Sequence, residues 1–98
     1  MKHFLIEIQY TAPMEKIAEI LPSHRAFLQT GYEKGWLLCS GPMVPKSGGV
    51  VIARAPEKLD IENFFSDDPY LLNQAATYRF VEFEPVKRQN FLEDWINN

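Results

Sequence analysis

From Lys2 to Tyr10, Phe4, Ile6, Ile8 and Tyr10 alternate with His3, Glu7 and Gln9, and Leu5 is the one exception. A repeat of two residues is the mark of a half-buried strand. The repeat changes after Thr11-Ala12-Pro13. Over Met14 to Leu21, Ile17, Ile20 and Leu21 fall on one side of a helical wheel, with Glu15, Lys16 and Glu19 opposite. Proline has no N–H to give the carbonyl four residues earlier, so Pro22 predicts an interruption. A second helical run then extends from Ser23 to about Lys34, with His24 in its first turn and Gly35 placed to cap its end.

Trp36 to Ser40 is dense in apolar residues and stops at Gly41-Pro42, which reads as a strand running into a loop over Met43 to Lys46. Ser47-Gly48-Gly49 supplies turn chemistry, and Val50 to Ala53 is a β-branched strand that completes a hairpin with the previous one. Leu59, Ile61, Phe64 and Phe65 have mainly helical offsets within Glu57 to Phe65, and Ser66-Asp67-Asp68-Pro69 restarts a short helix through Gln74. Thr77 to Glu84 alternates again, with a change of phase near Phe80. Val86 to Ile96 places Phe91, Leu92, Trp95 and Ile96 on one side, predicting a terminal helix over about 86–96.

The order β-α-β-β-α-β is the split βαβ arrangement of an α+β, ferredoxin-like fold, a four-stranded antiparallel sheet with helices on one face. The strands carry Phe4, Ile6, Ile8, Trp36, Leu38, Val51, Tyr78 and Phe80, too much apolar surface to leave a sheet face wet. A homodimer joined through sheet faces is the economical cover. A chain of 98 residues, 46% hydrophobic, reads as a single domain spanning 1–98, small enough that part of its core depends on a partner copy.

Ten basic against thirteen acidic residues give a net charge of −3, and Lys87-Arg88 is flanked by Glu82, Glu84 and Glu93. A phosphate backbone is therefore an unsuitable partner, and nucleic acid is not expected. The first ten residues are interrupted by Glu7, and nothing approaches the roughly 18 apolar residues of a membrane span. The single cysteine, Cys39, follows Trp36, Leu37 and Leu38, which predicts a buried, unpaired thiol and a cytoplasmic protein.

His24 is the residue best suited to move protons near neutral pH, provided a carboxylate takes one ring N–H and fixes the tautomer. Asp68 is a candidate for that carboxylate, although Asp followed by Pro also reads as a helix N-cap worth about 1 kcal/mol. Ser40 and Gly41 would offer a hydroxyl and a close backbone to a ligand oxygen. The only histidines are His3 and His24, and neither His-x-x-His nor Cys-x-x-Cys occurs, so no metal site or cofactor is expected. No Walker loop, GxGxxG or GxSxG is present either.

His24 within HRAFL, Gly35 before the second strand, Ser40-Gly41-Pro42, Gly48-Gly49 and Asp68-Pro69-Tyr70 follow one another in the order seen in the YCII-related family of small bacterial proteins, which the chain resembles up to about Glu84. The resemblance implies a dimeric α+β barrel of ferredoxin-like protomers whose site is built around a His-Asp pair, here His24 and Asp68. Ligand contacts are expected from Ser40, Gly41, Pro42 and Tyr70. The chain departs from the family's pattern at Asn73-Gln74, where a small residue and glycine are usual.

Two functions follow. The first is a cofactor-independent enzyme that uses His24 and Asp68 for general acid/base chemistry on a small cyclic or enolisable molecule, as a lyase, isomerase or hydrolase. The second is a binding or assembly module in which Tyr10, Trp36 and Tyr70 hold a planar ligand by stacking. An orienting carboxylate matters to the first and little to the second.

Overall fold

A computed structural model describes residues Met1–Asn98. Strand β1 (Lys2–Tyr10) leads to a long helix α1 (Met14–Glu33), then strands β2 (Leu37–Pro42) and β3 (Gly48–Ala55). Helices α2 (Lys58–Phe65) and α3 (Pro69–Leu72) precede β4 (Ala76–Phe83), and a 3-10 turn at Asn90–Leu92 runs into a short helix α4 (Glu93–Asn97). The sheet order is β2-β3-β1-β4, antiparallel throughout, which is the ferredoxin-like arrangement.

Pro22 does not break the helix: α1 runs through it from Met14 to Glu33. Ile17, Ile20, His24, Leu28 and Gly31 recur at intervals of three or four and are all buried, so one stripe spans both halves. Packing of that stripe outweighs the roughly 3 kcal/mol that an internal proline costs. His24 is consequently in the middle of a long helix and not in a first turn.

Gly31 lies where α1 comes closest to its neighbours, since a Cβ there would sit 2.8 Å from both Leu37 and Phe64. Lys34 caps the end of α1, and Gly35 follows it with a φ of 76°, the left-handed conformation glycine adopts freely. α2 starts with a reciprocal capping box between Glu57 and Asp60.

Phe4, Ile6 and Ile8 of β1 share the helix-facing side of the sheet with Val51, Ala53, Tyr78 and Phe80. Together with Ile17, Ile61, Phe65 and Tyr70 they form the core. The aromatic residues expected to need a partner chain are therefore covered by this chain's own helices. Leu5, Val50, Ile52 and Val81, half-buried, lie on the other face instead. β4 pairs with β1 without a register shift, so the change of phase near Phe80 is apolar character passing from one face to the other.

Three further expectations change. Gly41-Pro42 and Gly48-Gly49 belong to the paired strands β2 and β3, not to the loop or turn. Cys39 is exposed, because a bulge between Leu37 and Cys39 sets it opposite Ile52 on the open face. The expected helix over 86–96 is only the turn at Asn90–Leu92 and the short α4, and Phe91 stands exposed.

This terminal segment folds back over one end of the open face. Trp95 meets His3 with ring centroids 5.4 Å apart, and Arg54 donates to the Trp95 carbonyl at 2.5 Å. Arg88 grips Glu93 with two hydrogen bonds of 3.0 and 2.9 Å. Burial lowers the pKa of His3, and the N-terminal amine, Arg54 and Arg88 lower it further. No helix is long and apolar enough to cross a membrane.

Candidate functional site

His24 and Asp68 meet. His24 projects from the buried stripe of α1, and Asp68 stands at the N-cap of α3 with Pro69 in the first helical position. The imidazole Nδ1 is 2.8 Å from Asp68 Oδ1 and 3.0 Å from Oδ2. An ionised carboxylate only accepts, so Nδ1 carries a proton and donates it to Asp68. Nε2 has no partner in the protein and is the nitrogen left to accept a proton.

Asp68 is fully buried, with both oxygens engaged. Oδ1 also accepts from the backbone N–H of Tyr70 at 3.0 Å, and Oδ2 from the Tyr78 hydroxyl at 2.5 Å. The capping role and the link to His24 are thus both filled by one carboxylate. Burial of this kind is tolerable only when each oxygen is hydrogen-bonded, and four contacts achieve it. The Asp68 carboxylate holds the Tyr78 hydroxyl in its protonated form, adding to the effect of burial, which is the larger cause. Asp67 remains exposed beside it.

Tyr70, the residue that gives Asp68 its backbone N–H, also stacks its ring on His24, with centroids 4.1 Å apart and planes inclined by 24°. The imidazole is thereby held on one edge by Asp68 and on one face by Tyr70. Tyr10 meets Tyr70 edge-on at 5.6 Å. The Tyr70 ring is 1% exposed, and its hydroxyl has no hydrogen-bond partner.

A cavity of about 460 Å³ lies against this group, between α1, the ends of β1, β2 and β3, and α3. His24, Tyr70, Ser40, Gly41 and Pro42 all line it, so the residues singled out in the sequence share one chamber except Asp68, which stands behind His24. Ser40 Oγ is 2.6 Å from the Tyr32 hydroxyl, a hydrogen bond in which either can donate. Of the proposed stacking residues, Tyr10 lines the cavity, whereas Trp36 packs against Phe64 with Lys34 over its ring. A separate hollow of about 180 Å³ includes Glu7, Gln9 and Arg79 and holds neither member of the pair. No three His, Cys, Asp or Glu side chains gather as a metal would require.

Three lining or supporting residues carry no functional signal of their own in the sequence. Tyr78 was counted only as an apolar strand residue, and its hydroxyl function depends on α3 lying over β4. Arg25, next to His24, and Lys46, from the loop after β2, also line the cavity.

With the site described, its relatives can be placed. The YCII-related domain matches residues 1–84, and the chain belongs to that family. Among solved structures, the fold is similar to 5-chloro-2-hydroxyhydroquinone dehydrochlorinase (TftG) from Burkholderia phenoliruptrix AC1100, determined in complex with 2,5-dihydroxybenzoquinone. The TM-score is 0.67 at 16% identity, over 90% of this chain and 93% of the other. No curated protein matches the chain.

Proposed function

We propose that this protein is a cofactor-independent enzyme in which His24 moves protons to and from a small cyclic, enolisable molecule held in the cavity. The observation that carries the reading is the fully buried Asp68 accepting from Nδ1 of a histidine that lines a cavity. Nε2 takes a proton from a carbon next to a carbonyl; that C–H pair forms a C=C bond, and the carbonyl π pair moves to oxygen. The positive charge that appears on the imidazole is stabilised by the Asp68 carboxylate. The enolate then expels a leaving group or takes the proton back at another atom, giving elimination or isomerisation respectively. The dehydrochlorinase, named for a chlorinated hydroxyhydroquinone, makes polyhydroxylated aromatic rings and their keto tautomers the first compounds to try.

Proton exchange in D2O tests the reading. Wild type is expected to place deuterium at the enolisable carbon of a hydroxylated ring compound, and His24→Ala to leave it at the uncatalysed rate.

The open sheet face supports a second part of the proposal. Leu5, Val50, Ile52 and Val81 form an apolar strip there, beyond the reach of the helices, and a second copy packed face to face covers it. Sedimentation at micromolar concentration should give twice the chain mass. A monomer that persists as the concentration rises contradicts this.

A further inference from the structure

The cavity's charges are one-sided. Acids outnumber bases in the whole chain, yet none of the 17 lining residues is Asp or Glu, while Arg25 and Lys46 are both among them. Neither cation belongs to an ion pair: the pairs in the chain are Lys2–Glu57, His24–Asp68, Arg79–Glu7 and Arg88–Glu93. Asp68 stands behind His24 and outside the lining, and its single negative charge offsets only one of the two. Around these charges the walls are apolar, with Ile8, Met14, Ile17 and Leu21.

Tyr70 is an independent observation. Its hydroxyl is buried and unmatched, on the ring that stacks against His24. A buried hydroxyl without a partner has lost its hydrogen bonds to water, so an acceptor that arrives with a ligand recovers a real loss. Burial also pushes the hydroxyl's pKa up, and the neighbouring Tyr10 adds to the effect, so the group keeps its proton and has it available to donate to an oxygen.

We propose that the cavity takes its ligand as a small organic anion, an ionised oxygen on an apolar body, with Arg25 and Lys46 meeting the charge and the Tyr70 hydroxyl donating to a ligand oxygen. This rests on the reading of the cavity as the substrate site and narrows its substrate class. A ligand already ionised, or readily made into an enolate, suits a cavity that holds His24 together with Arg25 and Lys46. Part of its attraction is long-range, so affinity falls as salt is added.

The test uses matched pairs that differ only in ionisation: 4-nitrophenol above its pKa against 4-nitroanisole, and benzoate against methyl benzoate. Calorimetric titration of the full chain should show each anion bound about tenfold more tightly than its neutral partner. Arg25→Gln with Lys46→Gln should abolish that preference. Tyr70→Phe should weaken the anions severalfold while leaving Tm unchanged or higher, since it removes an unmatched buried hydroxyl. Equal or tighter binding of the neutral partners, retention of the preference in the double variant, or failure of both anions to bind overturns the proposal. Comparison of wild type with His24→Ala separates the two readings: an anion preference in a wild-type protein that exchanges protons no faster than His24→Ala sinks the enzyme alone, and His24-dependent exchange without the preference sinks this inference alone.

Discussion

Asp68→Asn should lower kcat about 10²–10⁴-fold, the usual contribution of a positioned acid or base, with KM and the fold changed little. The amide has the shape of the acid and one oxygen, enough to keep the Tyr70 N–H and the cap of α3. Tyr78 can turn its hydroxyl to accept from the new NH2 group. What the variant lacks is negative charge beside Nδ1, so the imidazolium formed when Nε2 takes a proton has no counter-charge in a buried setting. A binding module would be indifferent to that loss. Steady-state kinetics with thermal denaturation of the same variant separates the cases: unchanged kcat means the carboxylate has no part in catalysis.

Gly48→Ala should have the largest effect on stability. A Cβ at Gly48 would lie 1.9 Å from the carbonyl oxygen of Ile8 and 3.2 Å from Gln9 Cα, both backbone atoms that cannot turn aside. The added methyl forces β1 and β3 apart at their paired ends, where the Tyr10 N–H donates to Ser47 and the Met43 N–H to Gly48. Ile8, Tyr10 and Gly49 from these ends wall the cavity, so the site loosens with the sheet. We expect a loss of about 3 kcal/mol, at the upper end for overpacking, and a fall in Tm of about 10–25 °C. Gly41→Ala is the control, since its Cβ would meet nothing within 4 Å. Circular dichroism melts of both variants decide the matter, and a Gly48→Ala protein as stable as Gly41→Ala would contradict the packing described.

Much of this architecture was legible in the sequence, because strand alternation and capping residues are local signals. β1 lies over Lys2–Tyr10 as its alternation implies, and Asp68-Pro69 opens α3. The failures share a cause: local rules were overridden by tertiary packing. Pro22 reads as a breaker in isolation, but the stripe from Ile17 to Gly31 binds both halves of α1 to the sheet. Cys39 reads as buried from its neighbours, but the bulge after Leu37 reverses the side it faces.

The departure at Asn73-Gln74 has a local meaning as well. Gln74 takes φ 54°, in the left-handed region that glycine enters without strain, so a full side chain is carried on backbone that favours glycine. For the site, the sequence contained both members of the pair but not their meeting, which depends on α3 being set beside the middle of α1. The supporting hydroxyl of Tyr78 had no signal in the sequence, since a tyrosine in a strand is ordinarily read for its ring.

The central claim is that His24 transfers protons through Nε2, and proton exchange measures it without knowledge of the complete reaction. Hydroxylated and chlorinated hydroquinones and cyclic ketones would be incubated in D2O with wild type or His24→Ala, and exchange followed by proton NMR. At least one compound should exchange about 10²-fold faster or more with wild type than with the variant. Equal exchange rates for the two proteins across the whole set would contradict the account.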